Sequence, residues 1–289
     1  MTFGVTMFKK FGLSLIAVIV IVVLWGNSKY NIVAFNICGN STAGEDFRVL
    51  TWNICGADIG SREKEENIAR LIIEQNADFV QLNEFCLDSC MVIDSLLSGY
   101  YPYKNDANAH LHAGDIFYSK RSLLESGRFC EDFPYIIFSK SCFNKDSLYI
   151  LGCHLAGNNY EGQIEIDDAD SLRKVKTFWR YYKNAQEKRK EKARFIKKTI
   201  FESSLPMIVL GDMNDFNHSA PMDSLKDAGM KNAWWEGGFG YGATYHEGWL
   251  RLRIDHIYYN EKLELKGVKV VETDLSDHTP LIADFSIKE

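Results

Sequence analysis

The chain has 289 residues, of which 46% are apolar and 25% charged, with a formal net charge of -6. That composition excludes a disordered chain and leaves room for one large domain or two small ones. The acidic balance argues against holding nucleic acid by bulk electrostatics, and seven cysteines without a Cys-x-x-Cys pair exclude a cysteine metal framework.

Lys9 and Lys10 precede an unbroken apolar or small run, Phe11 to Trp25. Its length falls between a signal-peptide core and a full span of about 20 residues, and Gly26-Asn27-Ser28-Lys29 offers no small-x-small cleavage site. Residues 1–30 are therefore expected to be an uncleaved signal anchor. The two lysines would keep the N-terminus cytoplasmic and put the rest of the chain on the non-cytoplasmic side. Residues 31–46 are small and polar towards their end, as in a tether, so the folded domain is expected over 47–289.

Phe47 to Asn53 alternates and is rich in strand formers, which predicts a strand that ends by presenting Asn53. Glu63 to Gln75 has helical apolar spacing at Ile68, Leu71 and Ile72, and Asp78 to Glu84 reads as a second strand ending in a carboxylate. Strand, helix, strand predicts an α/β layer structure with polar groups collected at strand ends. Gly114 to Lys120, Tyr135 to Ser139 and Ser147 to Leu155 are further predicted strands, the last placing His154 at its terminus. Cys55 and Cys153 sit in apolar runs and are expected to be buried thiols; the oxidation state of Cys86 and Cys90 stays open.

Ser171 to Ser203 reads as a long helix with a dense basic face. Such a face is ordinarily a solvated one, and anionic lipid or nucleic acid would also suit it. Met207-Ile-Val-Leu-Gly-Asp212-Met-Asn214-Asp215 then reads as a short buried strand, a glycine turn and a polar exit. Asp212 and Asn214 are two apart, so in extended chain they share a side. A carboxylate that takes a proton beside an amide that fixes an oxygen suits a water activated next to phosphorus. Strand-Gly-Asp-x-Asn is also ordinary turn chemistry.

Pro221 to Ala228 predicts a short helix and Trp234 to Gly248 a Gly- and aromatic-rich loop. Leu252 to Tyr259 predicts a strand with Asp255 in its middle, and a buried strand carboxylate needs a partner, for which histidine is the natural candidate. After a strand over Lys266 to Glu272, Ser276-Asp277-His278-Thr-Pro280 enters a last strand, Leu281 to Ile287.

Together, Leu-Thr-Trp-Asn53, Gln-Leu-Asn-Glu84, Gly-Cys-His154-Leu, Gly-Asp212-Met-Asn214, Arg-Ile-Asp255-His and Ser-Asp277-His278-Thr-Pro resemble the endonuclease/exonuclease/phosphatase superfamily. That superfamily includes deoxyribonucleases, apurinic-site endonucleases, neutral sphingomyelinases and inositol-polyphosphate 5-phosphatases. The resemblance implies an α/β four-layer sandwich of two mixed β-sheets flanked by helices, with the site at one edge. It implies Glu84 as the main Mg²⁺ ligand, Mn²⁺ being a possible replacement, helped by Asn53 and Asp277. Asp212 and Asn214 would activate water, while His154 and His278, the latter held by Asp255, would contact the scissile phosphate. The implied activity is metal-assisted hydrolysis of a phosphodiester by a monomer, on nucleic acid or a phospholipid headgroup. His154 follows the deoxyribonuclease and sphingomyelinase pattern. Two other readings compete. Gly-Asp-x-x-Asp also occurs in binuclear metallophosphatases, but their Asp-x-His and Gly-Asn-His elements are absent here. A membrane-tethered binding module of the same fold would be marked by loss of site residues, and all eight are present.

Overall fold

The structure is a computed structural model and describes residues 33–36, 46–56, 59–111, 113–143, 146–158 and 171–288. The expected anchor over 1–30 lies outside them, and among the described residues no helix is long and apolar enough to cross a membrane. In chain order the elements are β1 (Ala34–Phe35), β2 (Phe47–Asn53), α1 (Arg62–Gln75), β3 (Phe79–Phe85), α2 (Met91–Ser98), β4 (Tyr103–Asn105), β5 (Gly114–Ser119), β6 (Leu123–Arg128), β7 (Ile136–Phe143) and β8 (Asp146–His154). The second half adds α3 (Ser171–Glu202), β9 (Met207–Asp212), α4 (Ala220–Asp227), β10 (Lys231–Asn232), α5 (Ala233–Gly237), β11 (Phe239–Gly240), β12 (Tyr245–Glu247), β13 (Leu250–Leu252), β14 (Asp255–Tyr259), β15 (Leu263–Val270) and β16 (Leu281–Ile287).

Two mixed six-stranded sheets carry the fold, ordered β15-β16-β2-β3-β5-β4 and β10-β14-β9-β8-β7-β6. Strand alternation sends Phe47, Val49, Phe79 and Phe117 of the first sheet and Ile150, Ile208, Leu210 and Ile257 of the second into one shared core between them. The opposite face of the first sheet, through Leu50, Val80 and Leu82, packs on Ile68, Ile72, Ile93 and Leu97 of α1 and α2. Leu151 and Val209 on the outer face of the second sheet meet Ile196 of α3 and Met222 and Leu225 of α4. Three stacked cores therefore give the helix-sheet-sheet-helix order that the resemblance implies.

α1 starts where Ser61 Oγ accepts the Lys64 N–H at 3.2 Å, and stops where Asn76 turns left-handed at φ 54°. β2 pairs parallel with β3, and β8 with β9, so Asn53, Glu84, His154 and Asp212 gather at one end of the sandwich. β14 and β16 run the other way, and their entries bring Asp255 and His278 to the same end.

Several expectations change. Asp255 opens β14 instead of sitting mid-strand, because Arg253 and Ile254 leave the ladder to turn from β13. The stretch read as a loop holds most of α5, β11 and the first strand of a tight hairpin, β12–β13, whose second strand follows just beyond it. Gly248 has φ 55° between Glu247 and Leu250 and Trp249 has no positive φ, which is the Gly-first two-residue turn that suits hairpin twist. Within the expected tether, Ala34 is buried and β1 pairs with β11, while Asn36 Nδ2 donates to Gly238 O at 2.7 Å. Cys55 is half-buried, since the chain has left β2 and turned to φ 48° there. Cys86 and Cys90 are both free thiols.

Candidate active site

Gly211, the last residue before Asp212, has φ 135°, and a Cβ on it would lie 1.9 Å from Cys153 O. Only glycine lets β9 run this close to β8 and deliver Asp212 opposite His154. On its other side Asp212 faces Asp255 in the antiparallel register. Glu84 reaches the cluster differently. Asn83 pairs with Asp115 and Phe85 with Gly114, so Glu84 is the extra residue of a β-bulge, at φ 53°. The bulge turns its carboxylate out of the pleat towards the strand ends.

These side chains converge. Asn53 Nδ2 donates to Glu84 Oε1 at 2.9 Å and to Asp212 Oδ2 at 3.1 Å. His154 Nε2 lies 3.7 Å from Glu84 Oε1 and 3.9 Å from Asp212 Oδ2. Asp212 Oδ1 accepts the Asn214 N–H at 2.8 Å, and Oδ2 accepts from Asn214 Nδ2 at 3.2 Å. Asn214 holds this with φ 51°, its amide also donating to Leu155 O at 3.1 Å. His278 Nδ1 bonds Asp255 Oδ2 at 2.8 Å, and its Nε2 lies 3.9 Å from Asp212 Oδ2. The histidine expected as the partner of Asp255 is thus His278.

Asp277 stands apart. It is exposed, takes the Ser276 hydroxyl at 3.1 Å, and belongs to neither of the two clusters spaced to hold a cation, Glu84–His154–Asp212 and Asp212–Asp255–His278. Asn53 meets the carboxylates through its amide nitrogen, while its oxygen accepts the Cys55 N–H at 3.0 Å. In this arrangement its amide nitrogen bridges the two acids.

Burial pushes the Asp212 pKa up, as does the neighbouring Asp255 charge, against the opposing pull of His278 and His154. Burial alone would lower the pKa of His278, but Asp255 and Asp212 overcome it and raise it to about 10. His278 is thus set as a cation bonded to Asp255 and 3.9 Å from Asp212. Glu84–His154–Asp212 is also spaced to hold a divalent cation: two carboxylates and an imidazole nitrogen lie within 4.8 Å of one another, and the Glu84 side chain is 32% exposed.

Three further residues escaped the reading of the sequence. Asn83, fully buried, donates to Asp115 Oδ1 at 2.6 Å and to Cys153 O at 3.1 Å, and accepts the Asp212 N–H at 2.9 Å. It ties both sheets together directly beneath Asp212. Arg189, fully buried on α3, is 3.4 Å from Asp215 Oδ2 and donates to Ala156 O at 2.7 Å, so part of the basic helix braces the loops after β8 and β9 instead of facing water. The third is Asp115, whose Oδ2 has no partner among the described residues.

Burial lifts the Asp115 pKa from 3.8 to about 7, opposed by His154 and the Asn83 bond. A pKa raised on folding adds stability that is complete below the unfolded value and lost as pH rises through the folded one. The parent should therefore lose on the order of 4 kcal/mol from this group between 3.8 and about 7. Asp115→Asn, which keeps an acceptor for Asn83, should remove that decline. Denaturant melts of both proteins across this range measure it, and parallel stability curves would contradict the assignment.

A model of the Endonuclease/Exonuclease/phosphatase family matches residues 50–278. No curated protein sequence matches the chain. Among solved structures, humanized D. rerio TDP2 is similar at TM-score 0.64 and 17% identity, covering 83% of this chain and 98% of that one. D. rerio TDP2 complexed with single-strand DNA product gives 0.62 and 15%, covering 83% and 98%. Sphingomyelinase C from Streptomyces griseocarneus gives 0.59 and 15%, covering 82% and 98%. At these identities the likeness shows the fold alone.

Proposed function

The chain belongs to the endonuclease/exonuclease/phosphatase family and is a metal-dependent phosphoester hydrolase, and we propose that it cleaves a phosphodiester with Mg²⁺ through the carboxylate–histidine cluster. One observation carries this reading: Asn53, Glu84, His154, Asp212, Asn214, Asp255 and His278, spread over the whole domain, meet within hydrogen-bonding or ion-pair range.

Glu84 would be the main ligand of the divalent cation, with the Asp212 carboxylate beside it and Mn²⁺ able to replace Mg²⁺. When bound there, the ion supplies positive charge against the phosphoryl oxygens. Asp212, its pKa raised by burial, accepts the proton of the attacking water. Asn214 orients that water through its carbonyl oxygen, because its NH₂ is committed to Asp212 and Leu155. His278 is a fixed cation at neutral pH, so it stabilises charge on the phosphoryl oxygens through Nε2–H while Asp255 holds Nδ1. His154 adds a second contact on the opposite side of Asp212. Asp277, exposed beside His278, would interact with the cation only from the rim.

We also infer a monomer anchored by residues 1–30, with residues 47–289 as the catalytic domain on the non-cytoplasmic side. The charge pattern around the apolar run supports that orientation. The test uses the full chain in detergent with bis(4-nitrophenyl) phosphate, sphingomyelin and plasmid DNA. Chelation should abolish hydrolysis and added Mg²⁺ restore it; turnover that survives chelation would overturn the mechanism.

A further inference from the structure

Asn214 keeps φ 51°, a left-handed conformation that a residue other than glycine holds only where its surroundings over-determine it. Its NH₂ is committed to Leu155 O and Asp212 Oδ2, and that commitment fixes where the carbonyl oxygen offered to water points. What keeps the backbone in this state lies one residue on. Asp215 is 1% exposed, and each of its oxygens is gripped from a different part of the chain. Oδ1 accepts the Phe216 N–H at 3.0 Å, Oδ2 accepts from Gln186 Nε2 at 2.6 Å and lies 3.4 Å from Arg189 Nη1, and the carbonyl oxygen is 2.9 Å from His256 Nε2.

The hold from His256 has a definite sense. Asn232 Oδ1 accepts the Trp235 N–H at 3.1 Å, so its NH₂ faces His256 Nδ1, also at 3.1 Å. Burial, and after it the Arg253 charge, lower the His256 pKa to about 3, so the ring is neutral and its one proton sits on Nε2, donated to Asp215 O. Arg189 closes the circuit from α3. Fully buried, it donates from Nε to Ala156 O and from Nη2 to Asn158 Oδ1, both at 2.7 Å. Leu155, whose carbonyl takes the Asn214 amide, directly precedes Ala156. One planar guanidinium therefore fixes both the loop that supplies an acceptor to Asn214 and the residue that follows Asn214.

We propose that Asp215 and Arg189 are positioning residues for the hydrolysis: together they hold Asn214 in the conformation that presents its carbonyl oxygen to the attacking water. This rests on the hydrolase reading above and adds to it two residues behind the cluster. At 1% and 0% exposure neither can meet a substrate, so both act through what they hold. When the brace slackens, Asn214 can relax to the right-handed region, and its amide then leaves Leu155 O and Asp212 Oδ2. A shift of about 1 Å in a group that orients a nucleophile can cost on the order of 10²-fold in rate. The plainer role of a buried ion pair is scaffolding, and that role predicts lost stability with the rate per folded molecule unchanged.

The test is a double-mutant cycle on the full chain in detergent, with bis(4-nitrophenyl) phosphate and saturating Mg²⁺. Asp215→Asn keeps the shape of the side chain, but whichever way its amide turns, one donor faces another at Phe216 N or at Gln186 Nε2. It should lower kcat at least tenfold with KM within twofold. In an Asn214→Ala background the same change should lower kcat less than twofold, because the group it positions is gone. An unchanged kcat, or equal losses in the two backgrounds, would overturn the proposal. Should Asp215→Asn fail to fold, Gln186→Met, which removes one donor from Oδ2, carries the same cycle with an expected threefold loss. Exchange of the Asn214 side-chain amide protons, followed by NMR, is independent of turnover: it should be at least tenfold faster in the variant, and equal exchange would refute the brace. If the parent fails to turn over the ester, the hydrolase reading of the site falls, and amide exchange still decides whether Asp215 holds Asn214.

Discussion

Asp212→Ala should lower kcat by about 10³-fold, with KM little changed and the fold intact. Removing a general base costs on the order of 10²- to 10⁴-fold, and this residue also orders Asn214, Asn53 and the cation around the water. A group that acts on the reacting water is felt mainly in the transition state, so the loss belongs to kcat. Stability should not fall in step. Burial and the Asp255 charge raise the Asp212 pKa, so its ionised form is a burden on the metal-free fold at neutral pH. By linkage, whatever it contributes is present below its unfolded pKa and lost as pH rises through the folded one. A truncation that is nearly inactive yet melts within a few degrees of the parent is the expected outcome. Retention of more than a tenth of parental kcat would remove Asp212 from the chemistry.

The residues of this site were readable because each closes or opens a strand whose alternation is plain, as in Phe47 to Asn53 and Ser147 to His154. Periodicity could not show that Glu84 is the extra residue of a bulge, since that depends on which partner residue is skipped across β3 and β5. Asn83 and Asp115 were missed although the signal used for Asp255, a polar residue in a buried strand, applies to both. Short edges were also invisible. β6 carries mostly exposed residues and a glycine, so it shows no apolar alternation, and β1 and β11 are two-residue strands, too short to show a period. Gly248-Trp249 did carry the turn signal of a hairpin, but the glycines around it made the whole stretch read as loop.

Asp255→Asn should separate the two histidine-linked functions of the site. In the parent, Asp255 and Asp212 hold His278 protonated up to about 10 against a burial effect that would lower its pKa. A histidine with a raised pKa adds stability that is fully present below its ordinary value of 6.5 and lost as pH rises through about 10. Asparagine keeps an acceptor for Nδ1 but removes the charge, so burial dominates and His278 becomes neutral at neutral pH. Two effects follow. The phosphoryl oxygens lose their fixed cation, which should cost about 10²-fold in kcat at pH 8, with partial recovery towards pH 6 as the ring reprotonates. Asp212 loses both its like-charged neighbour across the β9–β14 ladder, which raised its pKa, and the His278 charge, which lowered it, so the two changes on its pKa oppose one another. Asp255→Ala, which also leaves His278 Nδ1 unbonded, should instead destabilise by on the order of 3–5 kcal/mol. NMR titration of the imidazole resonances with parallel pH–rate profiles would measure both changes. If His278 in Asp255→Asn still titrates near 10, Asp212 alone fixes its charge, and the carboxylate at Asp255 serves only to orient the ring.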